Sequence, residues 1–247
     1  LWLRRRAAVV AGVVLVLAAA AAAAWYADAA RRSGAWLQPL HEGALVAGAW
    51  EQDWQQHVPG AFVQEPDGLR SQQPAAALLI HRRRLTLPVA VEYEAEIAPD
   101  SQPGDLSLVW SERDEAVRDT FAFLDGQQRN VRFQAGCYDN THCGIYDMPA
   151  GRALARNPLR LEPGRRYAMR VEIHPERASM AIDGREILRC DFDFPLTSGH
   201  LALYGYYPGK VFRRVAVSAA PTPEAISPLA VGDALMQLRR FADAASA

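Results

Sequence analysis

Apolar and polar residues alternate through most of the second half of the chain. Tyr167, Met169, Val171 and Ile173 fall on one parity, and Arg166, Arg170, Glu172 and His174 on the other. That period of two places one face of a strand in a core and the other in water. After Pro175-Glu176, Ala178, Met180 and Ile182 lead into Asp183-Gly184, residues that accept the positive φ of a tight hairpin turn. Leu188, Cys190, Phe192 and Phe194 then take the inward parity, with Arg189, Asp191 and Asp193 outward. Beyond Ser198-Gly199, residues 200–206 and 211–217 read as two closing strands. Half-apolar strands in such number need a second sheet to cover them, so the pattern predicts an all-β sandwich.

The same alternation runs upstream. Residues 41–70 read as entry strands carrying Trp50 and Trp54, followed by a strand over 75–81 and the basic triplet Arg82-Arg83-Arg84. Residues 87–97 hold the longest pattern: Val89, Val91, Tyr93, Ala95 and Ile97 face one way, Glu92, Glu94 and Glu96 the other. Strands are expected over 105–111 and 119–124, then one with Val131, Phe133 and Ala135 inward and Asn130, Arg132 and Gln134 outward. The next segment, Cys137 to Asp147, crowds Tyr138, Asp139, Asn140, His142, Tyr146 and Asp147 into a short loop. Ring faces with amides and carboxylates are what a sugar requires, stacking plus planar hydrogen-bond partners. On the closing strand His200, Tyr204 and Tyr206 take the parity opposite Leu201 and Leu203, so their rings are expected to point away from the core.

The ends differ in composition. Arg4, Arg5 and Arg6 precede an uncharged run over 7–27 with Trp25 and Tyr26 at its far end, about the ~20 residues a helix needs to span a bilayer, with interfacial rings where they belong. The basic cluster places the N-terminal side in the cytoplasm and the sandwich outside, on the periplasmic or extracellular side of the membrane. Two readings stay open: an uncleaved signal anchor, or a signal peptide cut after Ala29 in Ala27-Asp28-Ala29. The organisation is then an anchor over 1–30, a stalk over 31–42, the sandwich over 43–218, a Pro-spaced linker over 219–228 and a short C-terminal helix over 229–247. That helix carries Leu229, Leu235, Leu238 and Phe241 at helical spacing and is a candidate surface for a protein partner. A net charge of −1 gives no reason to expect nucleic acid.

The elements from Arg165 to Val217 resemble the closing strands of concanavalin A-like and laminin G-like jelly rolls, including those grouped with 3-keto-disaccharide hydrolases. The residues that carry the resemblance are the Ile182-Asp183-Gly184 hairpin, the GHLALYG strand from Gly199 to Gly205, and the F-x-x-V-x-V strand from Phe212 to Val217. It covers residues 43–217 and implies a jelly-roll fold, which hosts lectins, hydrolases and structural modules alike. Laminarinase-type glucanases of this fold carry catalytic carboxylates as Glu-x-Asp-x-x-Glu or Glu-x-Asp-x-Glu on one strand. Glu92, Glu94 and Glu96 share a side at ~7 Å between alternate residues but lack the central Asp; they are catalytic candidates against the plainer reading of a solvated strand face. Laminin G-like modules also suggest calcium, with Asp139, Asn140 and Asp147 as oxygen ligands.

Cys137 and Cys143 are expected to form a local disulfide in an exported domain, and Cys190 to be a core thiol. His142 alone does not make a zinc site, and no Ser-His-Asp grouping or phosphate loop is evident. The expected function is a membrane-anchored module that binds glycan through Tyr138, Asp139, Asn140, His142, Tyr146, Tyr204 and Tyr206. The alternatives are a glycoside hydrolase, or an envelope interaction module without a small ligand.

Overall fold

The computed structural model describes residues 38–74, 76–112, 130–148 and 150–219. Its strands are β1 (Gln38–Ala44), β2 (Trp54–Gln56), β3 (Phe62–Glu65), β4 (Gly68–Ser71), β5 (Ala76–His81), β6 (Val89–Ile97), β7 (Leu106–Ser111) and β8 (Asn130–Gly136). They continue as β9 (His142–Met148), β10 (Arg152–Asn157), β11 (Arg166–Ile173), β12 (Arg177–Ile182), β13 (Arg185–Asp191), β14 (His200–Tyr206) and β15 (Lys210–Ala219). The expected membrane segment, the strand over 119–124, the linker beyond Ala219 and the C-terminal helix lie outside the described residues; Ala219 itself, read as the start of the linker, closes β15. Among the described residues no helix is long and apolar enough to cross a membrane.

Two antiparallel sheets form. Sheet A runs β13-β12-β11-β6-β15-β4-β3, with β1 also on β15; sheet B runs β10-β9-β8-β7-β14-β5-β2. Strands distant in sequence lie side by side, β6 between β11 and β15 and β14 between β7 and β5, as in a jelly roll. β1 begins inside the stretch read as stalk, because Gln38 to Ala44 pair with the last strand from Ala219 back to Arg214.

The inward parities read from sequence meet between the sheets. Val89, Val91, Tyr93, Ala95 and Ile97 from β6 join Met169, Val171 and Ile173 from β11, and opposite them stand Leu108, Trp110, Phe133, Ile145, Leu201 and Leu203 of sheet B, all buried. Tyr93 ties the layers with a polar bond: its phenol donates to the Leu106 carbonyl at 3.2 Å, satisfying a group that burial would otherwise penalise. Gly199 lies where a Cβ would stand 2.5 Å from the Ser111 carbonyl and 2.8 Å from the Trp110 ring; a bare backbone lets β14 start against that indole.

Lys210, the single lysine of the chain, is fully buried. Its ammonium donates to the carbonyls of Gln102 at 2.7 Å and Pro208 at 3.1 Å, closing the corner where β6 leaves for β7 and β14 turns into β15. Burial depresses its pKa to about 8.

Trp110 has no exposed surface and sits in the middle of sheet B, flanked by β8 and β14. Trp110→Ala is expected to cost about 3–5 kcal/mol, the range for emptying a large aromatic site in a packed core; urea unfolding of the variant measures it.

Candidate functional site

The outward side of sheet B is a continuous surface whose register can be followed strand by strand. Ile80 pairs with Ala202, Ala202 with Val109, Val109 with Arg132 and Arg132 with Tyr146. In the next row Tyr204 lies between Leu78 and Ser107, and Gly144 between Gln134 and Arg156. The surface changes character from one side to the other. Toward β5 it is a second apolar cluster of Leu78, Ile80, Val109, Ala202 and Tyr204, all buried. Toward β9 and β10 it is aromatic and polar.

The aromatic part is organised by a turn of uncommon hand. Gly136 has φ 79°, and Tyr138, Asp139 and Asn140 follow at 49°, 58° and 60°. Three consecutive non-glycine residues in this region oppose the L-residue preference by roughly 1–2 kcal/mol each, less for Asp and Asn. Hydrogen bonds hold them. The Thr141 N–H and hydroxyl both donate to the Cys137 carbonyl, at 3.0 and 3.2 Å. The Asn140 amide clamps Leu161 from both sides, donating to its carbonyl at 2.6 Å and accepting from its N–H at 2.8 Å. Strain held in this way clusters at binding and catalytic sites.

The turn lifts Tyr138 into solvent, 66% exposed, with its ring stacked on His142 at 5.6 Å and 11° and edge-on to Tyr146 at 6.1 Å. His142 Nε2 lies 2.6 Å from the Tyr146 hydroxyl and Nδ1 2.9 Å from the Thr141 hydroxyl; a neutral imidazole, one donor and one acceptor, satisfies both. Desolvation and then the Arg156 charge depress the His142 pKa. Burial, with Cys137 next to it, raises that of Tyr146 to about 12. Gly144 makes the pair fit: a Cβ there would come within 2.4 Å of the Tyr146 ring, so the bare strand lets the ring lie back along β9 toward His142. The Arg156 guanidinium stands 5.7 Å from the centre of that ring.

Asp105, just before β7, is 5% exposed and accepts from Gln134 Nε2 at 2.5 Å. Desolvation raises its pKa to about 7, against the pull of that bond. Asp105, Gln134 and Arg156 were not singled out by sequence. The parity that Asp105 shares with Ser107 was visible; the register bringing Arg156 beside Gly144 was not, because a bulge between Ala153 and Ala155 resets it.

The structure separates the sequence-derived candidates. Tyr138, His142 and Tyr146 come together, with Asp139 exposed beside them. Tyr206 is 37% exposed on the expected face. Tyr204 has the expected direction but is buried at 5% within the apolar cluster, so it presents no open ring. The Asn140 side chain is occupied by Leu161. Glu92, Glu94 and Glu96 stand on sheet A, across the sandwich from the aromatic cluster. Arg170 pairs with Glu92, Arg166 with Glu94 at 3.5 Å and Arg213 with Glu96 at 2.9 Å. The depression of about 310 Å3 on that face is lined by Glu92, Glu94, Arg170 and Arg214 together with uncharged residues such as Met169 and Ala216, and both of its carboxylates are ion-paired. Asp147 takes the parity opposite Tyr146 and meets Arg152 at 3.4 Å, so it does not converge with Asp139 and Asn140. Among the described residues no three His, Cys, Asp or Glu side chains are grouped to hold a metal ion.

The expected disulfide is absent. Cys137 and Cys143 are free and buried, the first donating to the His142 carbonyl at 3.3 Å and the second to that of Leu159 at 3.5 Å. Alternation along β9 sends Cys143 into the core, while Cys137 is held at the base of the turn. Burial pushes the Cys137 thiol up to about 12.

Comparison with solved structures gives the architecture its place. A Bacillus subtilis protein of unknown function with a galectin-like fold superposes with a TM-score of 0.59 at 14% identity, over 74% of this chain and 98% of that one. The carbohydrate-binding module CBM66 from Bacillus subtilis gives 0.53 at 13%, over 68% and 96%, and the Bacillus licheniformis beta-glucanase 0.53 at 8%, over 74% and 99%. The fold is a concanavalin A-like jelly roll. At these identities the likeness concerns the sandwich alone. No protein-family model and no curated protein matches the sequence.

Two outcomes test the site's construction. Gly144→Ala is expected to displace the Tyr146 ring and break its contact with His142. Absorbance titration would then find a phenol ionising below its native value of about 12; an unchanged titration curve would show the ring had not moved. For Asp105, the folded pKa of about 7 lies above the unfolded one near 3.8. The stability tied to that raised pKa is complete below about pH 4 and is lost as pH rises to 7. Asp105→Asn should therefore exceed the native chain at pH 8 by on the order of 2–4 kcal/mol and lose that advantage by pH 4. Urea unfolding at both pH values decides it.

Proposed function

We propose that this chain is a carbohydrate-binding module held on the outer side of a membrane, with its ligand face on the β8–β10 side of sheet B. The observation that carries the reading is the Tyr138–His142–Tyr146 cluster, in which an exposed ring is fixed on a clamped, strained turn. A sugar has an apolar ring face and a rim of hydroxyls. A rigid exposed aromatic supplies the first contact at little entropic cost, and Asp139, Thr141 and Arg156 supply polar partners around it. The names of the fold's neighbours support the class: one is a carbohydrate-binding module, another a glucanase. The membrane attachment rests on the arginine cluster and the apolar run over 7–27.

A glycoside-cleaving reading draws on a different acid from those the sequence suggested. Asp105 keeps its proton near neutral pH on the side of the sandwich that bears the aromatic cluster, the protonation state a general acid needs. Glu92, Glu94 and Glu96 are held by arginines on the far side.

With the full chain in detergent, migration through gels loaded with neutral and acidic polysaccharides tests both readings. At least one polysaccharide should retard the native chain, and Tyr138→Ala should weaken that binding by about tenfold or more, the ~1.4 kcal/mol scale of a lost aromatic contact. Glu92→Gln and Glu94→Gln should bind as the native chain does. Release of reducing sugar that disappears in Asp105→Asn would replace the binding module with a hydrolase. Retention of full binding by Tyr138→Ala would remove the site from the turn.

A further inference from the structure

The arginines beside the glutamates of sheet A and those beside the aromatic cluster differ in what holds their charge. On sheet A the arginines beside the β6 glutamates are neutralised: Arg166 and Arg213 share Asp67 at 2.9 Å each while reaching Glu94 and Glu96, and Arg170 bridges Glu92 and Glu172. Beside the aromatic cluster the arrangement differs. Arg156 is exposed, with its guanidinium over the Tyr146 ring, and it forms no ion pair with any described residue. Arg160 is likewise exposed and without an ion pair among the described residues. It directly precedes Leu161, the residue Asn140 clamps, so it flanks the turn that carries Tyr138. His142 lies between Tyr138 and Tyr146 and feels the Arg156 charge.

We infer that the sugar recognised here is acidic, a glycan bearing carboxylate groups, with Arg156 and Arg160 as its counter-charges and His142, both ring nitrogens held by Tyr146 and Thr141, as a titratable charge beside them. This rests on the carbohydrate reading above and specifies its ligand class. A guanidinium left exposed over an aromatic ring offers a carboxylate paired, planar hydrogen bonds that a neutral hydroxyl cannot match in charge. The ring beneath keeps that guanidinium in place. The turn's own acid, Asp139, is exposed, and the buried carboxyl of Asp105 lies one strand behind the turn; neither forms an ion pair with Arg156 or Arg160.

The site also predicts the direction of a pH effect. The groups about His142 are Tyr138, Thr141 and Tyr146 on its own segment and Arg156 from β10, whose charge it feels; Arg132 on β8 is the register partner of Tyr146, and the acids nearest the turn are Asp139 and Asp105. A bound carboxylate stabilises the imidazolium that Arg156 otherwise disfavours, so binding draws a proton onto His142 and strengthens as pH falls from 8 to 6. Protonation of Asp105 over the same range removes a negative charge and acts in the same sense.

The test measures affinity of the full chain in detergent for polygalacturonate, alginate and hyaluronan, each against its methyl-esterified form, with a neutral glucan alongside. At least one acid form should bind tenfold or more tightly than its ester, with the ratio falling as salt is added. In Arg156→Gln with Arg160→Gln that ratio should drop to near one. Both residues are exposed, so circular dichroism and melting should show an intact fold. The affinity gain between pH 8 and pH 6 should shrink in His142→Gln. If esters or the neutral glucan bind as well as the acids, the acidic class is overturned and the carbohydrate reading stands. A tenfold ratio that survives the double substitution overturns the two arginines as counter-charges. If no polysaccharide binds, both readings fall together.

Discussion

Each outward side chain of this sandwich is aimed by its neighbours' need to face inward. Interiors of this kind pack to crystal-like density, and the inner faces of sheets A and B fill the space between them with Trp110, Phe133, Phe212 and their partners. A strand whose alternate residues are locked there has no freedom to rotate. His142 and Tyr146 therefore stand on the same side of β9 because Cys143 and Ile145 are buried on the other. The candidate site inherits its rigidity from the core. Only the turn at Tyr138 to Asn140 departs from this rule, and there the Asn140 clamp on Leu161 does what packing does elsewhere.

Parity within strands was legible from the sequence, and so was the sandwich. The inward residues of β6, β8, β11 and β14 are the ones the alternation selects, and the jelly-roll resemblance of the closing strands agrees with the solved structures the fold matches. What alternation cannot carry is the identity of the sheet. Glu92 to Glu96 and Tyr204 with Tyr206 all read as outward, yet they point to opposite sides of the molecule because β6 joins one sheet and β14 the other. That assignment depends on crossovers between strands far apart in sequence, and no local pattern records them.

The loop between Cys137 and Cys143 shows a second limit. Its composition pointed correctly to an aromatic and polar cluster, but spacing suggested a covalent closure where hydrogen bonds do the work. The left-handed sense of the turn comes from three residues of which only Asp139 and Asn140 tolerate it readily, so Tyr138 gave no warning. Arg156 was invisible for a simpler reason. Its position beside Gly144 follows from a bulge in an edge strand, and a shift of one residue exchanges the faces of every side chain after it.

The burial of Lys210 has a consequence for how this protein meets amine chemistry. The chain has no other lysine, and this one is sealed beneath the carbonyls of Gln102 and Pro208. Acylating reagents, cross-linkers and conjugating enzymes that seek a lysine side chain therefore find none on the folded sandwich. Whatever lysine-directed labelling does occur counts the moments when that one corner comes open, which makes a residue buried for packing a built-in reporter of local unfolding.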